Sequence, residues 1–288
     1  MVQDITPKKL YNEYTRKKLT RSDYIAIFKN NKILIKETDT GLSFPKLPDL
    51  ADILPVASAT AGQTQYLFRI DQDQYFLFTD DPPAVVPSFT PEAAGLRWMK
   101  LSEIRTRTQQ ELCYAVYTAY HLHQWYQNNR FCGHCAAPTL PDPTERMLYC
   151  PKCGNRIYPK IAPAIIVAVT NKDRILLTRY ANREYKRYAL IAGFTEIGET
   201  AEDTVHREVM EEAGIRVKNI RYYKSQPWGI DGNLLLGYFA QLDGSDQISM
   251  DTNELASAEW VSREELKDMD DSFSLTREMM RVFYENRA

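Results

Sequence analysis

Residues Gly193–Ile215 read GFTEIGETAEDTVHREVMEEAGI, and this stretch decides how the rest of the chain is understood. Thr200, with Asp203 three positions on, has the form of a helix N-cap and its capping-box partner, and Gly214 has the form of a C-terminal stop. The spacing predicts a helix over Ala201–Ala213. At about 100° per residue, Ala201, Val205, Val209 and Ala213 line up as one narrow apolar stripe that must face a core. Glu208 and Glu212 fall beside that stripe, and Glu211 lies within a turn of both, so three carboxylates share one small region. Partly desolvated like charges repel unless a cation neutralises them, and oxygen ligands select a hard ion, Mg²⁺ or Mn²⁺, over Zn²⁺. An ordinary solvated acidic face would put the glutamates opposite the stripe, and it would leave Gly193, Glu199 and Arg207 without a role.

The spacing G-x5-E-x7-R-E-x-x-E-E-x-G, complete from Gly193 to Gly214, resembles the Nudix box of the Nudix hydrolases, which cleave a nucleoside diphosphate linked to another group. The resemblance implies that Glu208, Glu211 and Glu212 hold divalent metal, with Arg207 and Glu199 in support. It also implies a metal contact from the backbone carbonyl just before the box, here that of Ala192.

The composition excludes several other classes. At 288 residues the chain has length for about two domains, and 44% hydrophobic with 26% charged residues is ordinary for a globular protein. A net charge of −2 supplies no broad field for nucleic acid or membrane, so an anionic substrate must be met locally, by metal. The N-terminus, MVQDITPKKLYNEYTRKK, is charged and lacks the apolar core of a signal peptide. The longest apolar run, within residues 161–169, is too short to span a bilayer. These features predict a cytoplasmic protein with no membrane partner.

Of the five cysteines, four form two pairs, Cys132-Gly-His-Cys135 and Cys150-Pro-Lys-Cys153, separated by fourteen residues. Two such knuckles predict a closed tetrahedral Zn²⁺ site with four thiolate ligands and a structural task, stapling a segment too small to fold by apolar burial. With four sulfurs in the shell, His134 is a bystander. Cys113, alone on the apolar face of a predicted helix over residues 109–126, is a core residue.

The expected organisation is an N-terminal β-rich domain over 1–127, the zinc ribbon over 128–157 and the catalytic domain over 158–288. In the first, strands are expected at 24–28, 33–37, 65–70 and 75–79, with Pro-rich loops at 44–55 and 81–91. In the last, strands are expected at 164–170, 174–179, 188–192, 220–225 and 233–242, then a strand through Trp260 and short helices at 263–267 and 275–286. Strands interleaved with a central helix and closing helices predict a mixed α/β fold, a sheet between helical layers. The segment from Tyr24 to Ile35 resembles that from Ile165 to Leu177, and the surroundings of Trp98 resemble those of Trp260. This echo leaves two readings open: the first half is a degenerate copy of the catalytic fold without the box, or the two halves carry unrelated β hairpins of common composition.

The flanks narrow the resemblance. A four-cysteine ribbon, Tyr158-Pro-Lys-Ile-Ala-Pro163, the box and Ser225-Gln-Pro-Trp228 together resemble the α/β/α sandwich Nudix enzymes of the NADH pyrophosphatase (NudC) type. That likeness implies hydrolysis of NAD(H) to nicotinamide mononucleotide and AMP, with removal of NAD caps from RNA 5′ ends as an extension. It implies that Tyr158 and Phe194 stack on the nicotinamide across a homodimer, that Gln226 lies at the nucleotide, and that Glu254 joins the metals. The general base is then Glu211 or Glu254. After Trp228 the chain runs Gly229-Ile-Asp-Gly-Asn233 in place of the family's Pro-Phe-Pro, a looser loop that costs more to order on binding. ADP-ribose or another nucleoside diphosphate derivative is the competing substrate, and a zinc-ribbon regulator that binds nucleotide without turnover is the reading from another class.

Overall fold

Two units make up the computed structural model, which describes residues 1–39, 41–51, 64–79, 95–181, 187–266 and 273–287. One comprises Gln3–Lys160 with Gly229–Asp231; the other comprises Met1–Val2, Ile161–Trp228 and Gly232–Ala288. The expected loop at 81–91, residues 52–55 of the other Pro-rich loop and the end of the expected helix at Lys267 lie outside the described residues.

The first unit carries strands β1 (Leu10–Tyr11), β2 (Tyr24–Ala26), β3 (Phe28–Lys29), β4 (Lys32–Thr38), β5 (Gly41–Ser43), β6 (Thr64–Ile70), β7 (Asp73–Phe78) and β8 (Leu96–Lys100). Helices α1 (Leu101–Arg107) and α2 (Gln110–Asn128) follow. The apolar positions 113, 116, 119 and 120 give α2 a face in which Cys113, Val116 and Ala119 are fully buried. Desolvation pushes the Cys113 thiol up to about 12, as suits an inert core cysteine. Ile25, Ile27, Leu34, Leu47, Leu50, Phe78 and Leu96 form a core cluster between the strands. A 3-10 turn at Leu47–Leu50 occupies part of the stretch expected as loop, because Leu47 and Leu50 point into that core.

The ribbon strands β9 (Leu140–Pro141), β10 (Leu148–Tyr149) and β11 (Arg156–Ile157) form a small antiparallel sheet in the same unit. It is tied to the N-terminal segment: the Tyr14 hydroxyl donates to the Asp142 carbonyl at 3.0 Å and Arg16 donates to the Pro141 carbonyl at 3.2 Å. Arg146 donates to the Asn12 side chain at 3.3 Å and to the Leu67 carbonyl.

The second unit is built on β12 (Ala162–Asn171), β13 (Arg174–Tyr180), β14 (Ile191–Phe194), β15 (Arg216–Trp228), β16 (Asn233–Asp243) and β17 (Leu255–Ser262), ordered β15-β16-β12-β13-β17 with β14 paired to β12. Helix α3 (Ala201–Ala213) lies between β14 and β15, and α4 (Leu275–Tyr284) closes the chain. The alternation along β12 explains the layering. Ile165, Val167 and Val169 pack in one cluster with Val205, Val209 and Ala213 of α3, while Ile166 and Ala168 pack in another with Met279, Met280 and Phe283 of α4. A strand buried on both faces reads as a continuous apolar run, and β12 does. Each fully buried Val or Ile contributes about 1.5–3 kcal/mol relative to exposure.

The strand order also answers the echo between the halves. In the second unit β12 pairs in parallel with β16, and Leu176 of β13 faces Trp260 of β17. In the first unit β2 pairs in parallel with β7, and Leu34 of β4 faces Trp98 of β8. The order β6-β7-β2 followed by β3-β4-β8 repeats β15-β16-β12-β13-β17; among the described residues no helix stands between β4 and β6 where α3 stands between β13 and β15, apart from the 3-10 turn at Leu47–Leu50.

Candidate active site and metal centre

The α3 helix forms as its residues dictate. Thr200 Oγ1 accepts from the Asp203 N–H at 3.1 Å, the Asp203 carboxylate accepts from the Thr200 N–H at 3.3 Å, and Gly214 ends the helix at φ 66°. That left-handed residue is also close to its neighbour: a Cβ there would lie 2.8 Å from the Cβ of Ser249. The apolar stripe is buried, and Glu208 and Glu212, beside it, are only 9% and 2% exposed.

Arg207 is the hub around which the box closes. Its Nε and Nη2 donate to the two oxygens of Glu199 at 2.6 and 3.0 Å. Nη1 donates to Glu208 at 2.6 Å and to Glu211 at 3.0 Å, and Nη2 reaches the Phe194 carbonyl at 2.9 Å. Glu199 also accepts from the Glu196 N–H and the Thr204 hydroxyl, each at 3.0 Å, so its own loop wraps around it. The Arg207 guanidinium, then the Glu196 N–H, hold the Glu199 carboxyl down at about 2. Glu208 moves the other way: desolvation outweighs Arg207, and the charges of Glu211 and Glu254 raise it further.

Strand β14 delivers the other wall. Ala192 and Gly193 pair with Ile166 and Ile165 of β12, so the carbonyl before the box is held by the sheet. The expected strand at 188–192 starts three residues later and ends two later, at Ile191–Phe194, because pairing to β12 begins at Ile191 and Ala189 makes only an isolated bridge to Thr178. A Cβ on Gly193 would lie 2.0 Å from the Glu208 carboxyl carbon, so this glycine is required for the glutamate to lie where it does.

The glutamates differ in access. Glu211 has a side chain 60% exposed, and Glu254 is exposed. The loop before Glu254 is fixed to the helix end, where the Asp251 N–H donates to the Glu212 carbonyl at 3.1 Å and the Ser249 N–H to the Ala213 carbonyl at 2.9 Å. The Glu254 carbonyl accepts from the Ala181 N–H at 2.8 Å. Phe194, Glu199, Arg207, Glu208 and Glu211 are therefore joined by hydrogen bonds, the Glu208 carboxyl lies against Gly193 next to Ala192, Glu212 follows one turn on along α3, and Glu254 is close enough to act on Glu208 electrostatically. The phenyl ring of Phe194 is 50% exposed.

Two expected substrate residues have partners of their own within their units. Gln226 is fully buried; its amide donates to the Phe273 carbonyl at 2.8 Å and accepts from the Leu275 N–H at 2.7 Å, docking the start of α4. Tyr158 belongs to the other unit, is 53% exposed and donates to Glu145 at 3.0 Å. Sequence reasoning missed Thr204, which is fully buried and four residues before Glu208. Its place on the helix face of Glu208 was the available signal.

The carboxylates of Glu208, Glu211 and Glu212 and the sheet-held Ala192 carbonyl are oxygen donors of the type a hard divalent ion takes, and the Glu208 carboxyl occupies the space a Cβ on residue 193 would fill. The cysteines fit a soft one. Their four sulfurs lie within 4.8 Å of one another, a convergence that, among the described residues, no other group of ligand side chains matches. Cys132 and Cys153 are 3.6 Å apart and Cys135 and Cys150 3.4 Å, near the roughly 3.8 Å edge of a tetrahedron with Zn–S of about 2.3 Å. The knuckles match: in each, the residue four after the first cysteine, Ala136 or Gly154, adopts a left-handed backbone and returns its N–H to that cysteine's carbonyl. The N–H groups of His134 and Cys135 lower the Cys132 thiol to about 6, which favours the thiolate a zinc ligand needs.

Three stretches of the chain match known families: residues 160–282 the NUDIX domain, residues 127–158 the NADH pyrophosphatase zinc ribbon domain, and residues 22–125 the NADH pyrophosphatase-like rudimentary NUDIX domain. The chain is 44% identical over 145 residues to the NAD-capped RNA hydrolase NudC of Salmonella typhi, a match covering 50% of this chain and 56% of that protein. The NudC of Salmonella heidelberg (strain SL476) gives the same figures. The match thus spans just over half the length of these curated relatives. Among solved structures, a NUDIX hydrolase from Nitrosomonas europaea is similar at 23% identity and a TM-score of 0.46, covering 54% of this chain and 91% of that one.

Proposed function

Because the chain belongs to the Nudix family, we propose that it is a metal-dependent pyrophosphohydrolase that cleaves the diphosphate of NAD(H) to nicotinamide mononucleotide and AMP, and that NAD-capped RNA 5′ ends are a second substrate. The observation that carries this reading is the Glu208 carboxylate, held against Gly193 and bonded to the Arg207 hub, with the buried Glu212 one turn further along the same helix. The 44% identity to proteins named NAD-capped RNA hydrolases supports the choice of substrate class.

Glu208, Glu211, Glu212 and the Ala192 carbonyl would hold Mg²⁺ or Mn²⁺, with Glu254 completing the set. When bound, the ions neutralise the diphosphate and lower the pKa of water for in-line attack. Arg207 and Glu199 are positioning residues. Their pairing fixes the loop and the orientation of Glu208 before substrate arrives, so that little reorganisation remains for the reaction step. The proton of the attacking water passes to Glu211 or Glu254, the exposed members of the group. Phe194, half exposed on the box strand, offers a ring for stacking on the nicotinamide, with Tyr158 as the second aromatic, the two contributed across a homodimer. Gln226 is assigned instead to docking α4.

The exposed Ile161, Phe194 and Ile197 of the second unit support a homodimer, and two CxxC knuckles suit a reducing, cytoplasmic setting. Among the described residues, no helix is long and apolar enough to cross a membrane. The test is a panel of NADH, NAD⁺, ADP-ribose and diadenosine polyphosphates with Mg²⁺ or Mn²⁺, read as AMP released, with Glu212→Gln alongside. Wild-type protein should release AMP fastest from NADH, and Glu212→Gln should lose most turnover while keeping its fold. Preference for ADP-ribose would move the substrate assignment, and nucleotide binding without product would favour a regulator.

A further inference from the structure

A cavity of about 160 Å³ opens on the second unit where the ends of β12 and β16 meet β15 and the last turn of α4. Lys172, Arg221 and Arg263 line it, together with Asn219, Asn286 and Phe283. No carboxylate is among its described lining residues, and among the described residues none of the three cations has a carboxylate partner. Clustered cations without a counter-charge create a local positive potential, although the whole chain is near neutral.

The positions of these side chains are built into the backbone. The register of β15 against β16 slips between Lys218 and Arg221, with Asn219 at φ 53° inside the slip; irregularities of this kind re-aim side chains. Lys172 sits in the β12–β13 turn at φ 59°, a left-handed conformation that a lysine rarely takes. Arg263 is anchored from three directions. Its N–H donates to the Asp173 carbonyl at 2.9 Å, its guanidinium donates to the Phe283 carbonyl and it lies 4.2 Å from the centre of the Phe283 ring. By capping α4 there, it offsets the negative helix end that would otherwise repel an anion.

Size limits the ligand. The volume equals about five water molecules at roughly 30 Å³ each, well below the several hundred Å³ of a site for a whole nucleotide-sized molecule. The cavity takes a group. Guanidinium forks, an ammonium and carboxamides converging from several sides suit tetrahedral oxygens. The box lies elsewhere: Ile166 of β12 pairs with Ala192, and Thr170, which borders the cavity, is four residues further along, about 13 Å at 3.3 Å per residue.

We propose that this cavity is a phosphate-binding site separate from the box. The phosphate belongs either to a free small anion or to a polynucleotide backbone, and both present the same oxygens to Lys172, Arg221 and Arg263. The test is isothermal titration of the zinc-loaded full chain, in buffer without Mg²⁺ or Mn²⁺ and at constant ionic strength, with inorganic phosphate in one arm and an uncapped RNA hexanucleotide in the other. Arg221→Gln and Lys172→Gln, both at exposed positions, should each weaken phosphate binding about tenfold or more, the loss of one charge-assisted contact. A parallel loss of hexanucleotide binding identifies the backbone as the source; loss of phosphate binding alone identifies a free anion. Equal affinities in wild type and both variants, with thermal unfolding confirming that all are folded, would overturn the site, as would no heat from wild type up to about 10 mM phosphate. Because no hydrolysis is read, failure here leaves the proposed activity standing.

Discussion

The carboxyl carbon of Glu208 lies 2.0 Å from where a β-carbon on Gly193 would be, so the box strand and the box helix meet through the one residue type that leaves the space open. Helix α3 is fixed by its caps and its buried stripe, so a methyl group at position 193 must displace the glutamate rather than the helix. Gly193→Ala is expected to fold normally and to lose about 100-fold in kcat, the scale of an ångström-sized misplacement of a reacting group. Circular dichroism and AMP release from NADH check the two halves of this expectation; unchanged turnover would remove Glu208 from the catalytic set.

The Glu199–Arg207 pair sets an acid limit. Glu199 is held at about 2 in the folded chain against an ordinary value of 4.5. A carboxylate whose folded pKa is depressed stabilises the fold above its unfolded pKa, and that contribution fades as pH falls from about 4.5 toward 2. Urea unfolding across this window should show stability falling more steeply with acid in wild type than in Glu199→Gln. Parallel curves for the two proteins would contradict the pairing.

The helix over 201–213, the cysteine knuckles and the β12–β13 hairpin were legible because each is written locally, in Thr200, Asp203 and Gly214, in CxxC spacing, and in a turn between apolar runs. The parallel pairing of β12 with β16 was not, because its partners, such as Ala162 and Asn233, are far apart in sequence and share no local signal. Strand β15 is longer than its apolar pattern suggests, since two register slips interrupt the alternation that marks a strand. Helix α1 escaped notice because it is short and its N-cap Lys100 offers no side-chain hydrogen bond. The charges of the box glutamates were visible in the sequence; the burial that separates Glu208 and Glu212 from Glu211 depends on a sheet that only tertiary structure supplies.

Gln226 gives a test that separates support from recognition. Its amide joins the Phe273 carbonyl to the Leu275 N–H, so Gln226→Leu strands one buried N–H and one partly buried carbonyl. The expected loss is about 2–4 kcal/mol of stability from those groups, with KM for NADH little changed once the variant is measured well below its melting temperature. A raised KM with unchanged stability would instead return Gln226 to the nucleotide.

Zinc removal is expected to reach beyond the ribbon. The four sulfurs hold a sheet of two-residue strands, too small to persist on apolar burial, so loss of the metal should unfold it. Tyr14, Arg16 and Arg146 then lose their anchor points, because Asp142, Pro141 and Arg146 itself lie between the two knuckles. Chelation, or Cys150→Ser, should therefore speed amide exchange within the ribbon and also at β1, next to Asn12, and at β6, which contains Leu67, because Arg146 holds both residues. Exchange in β12 and α3 serves as the reference, since those elements are packed by apolar residues of the second unit. Exchange confined to the ribbon would show that the N-terminal sheet is stable without it, and uniform acceleration through α3 would mean that zinc supports the whole chain.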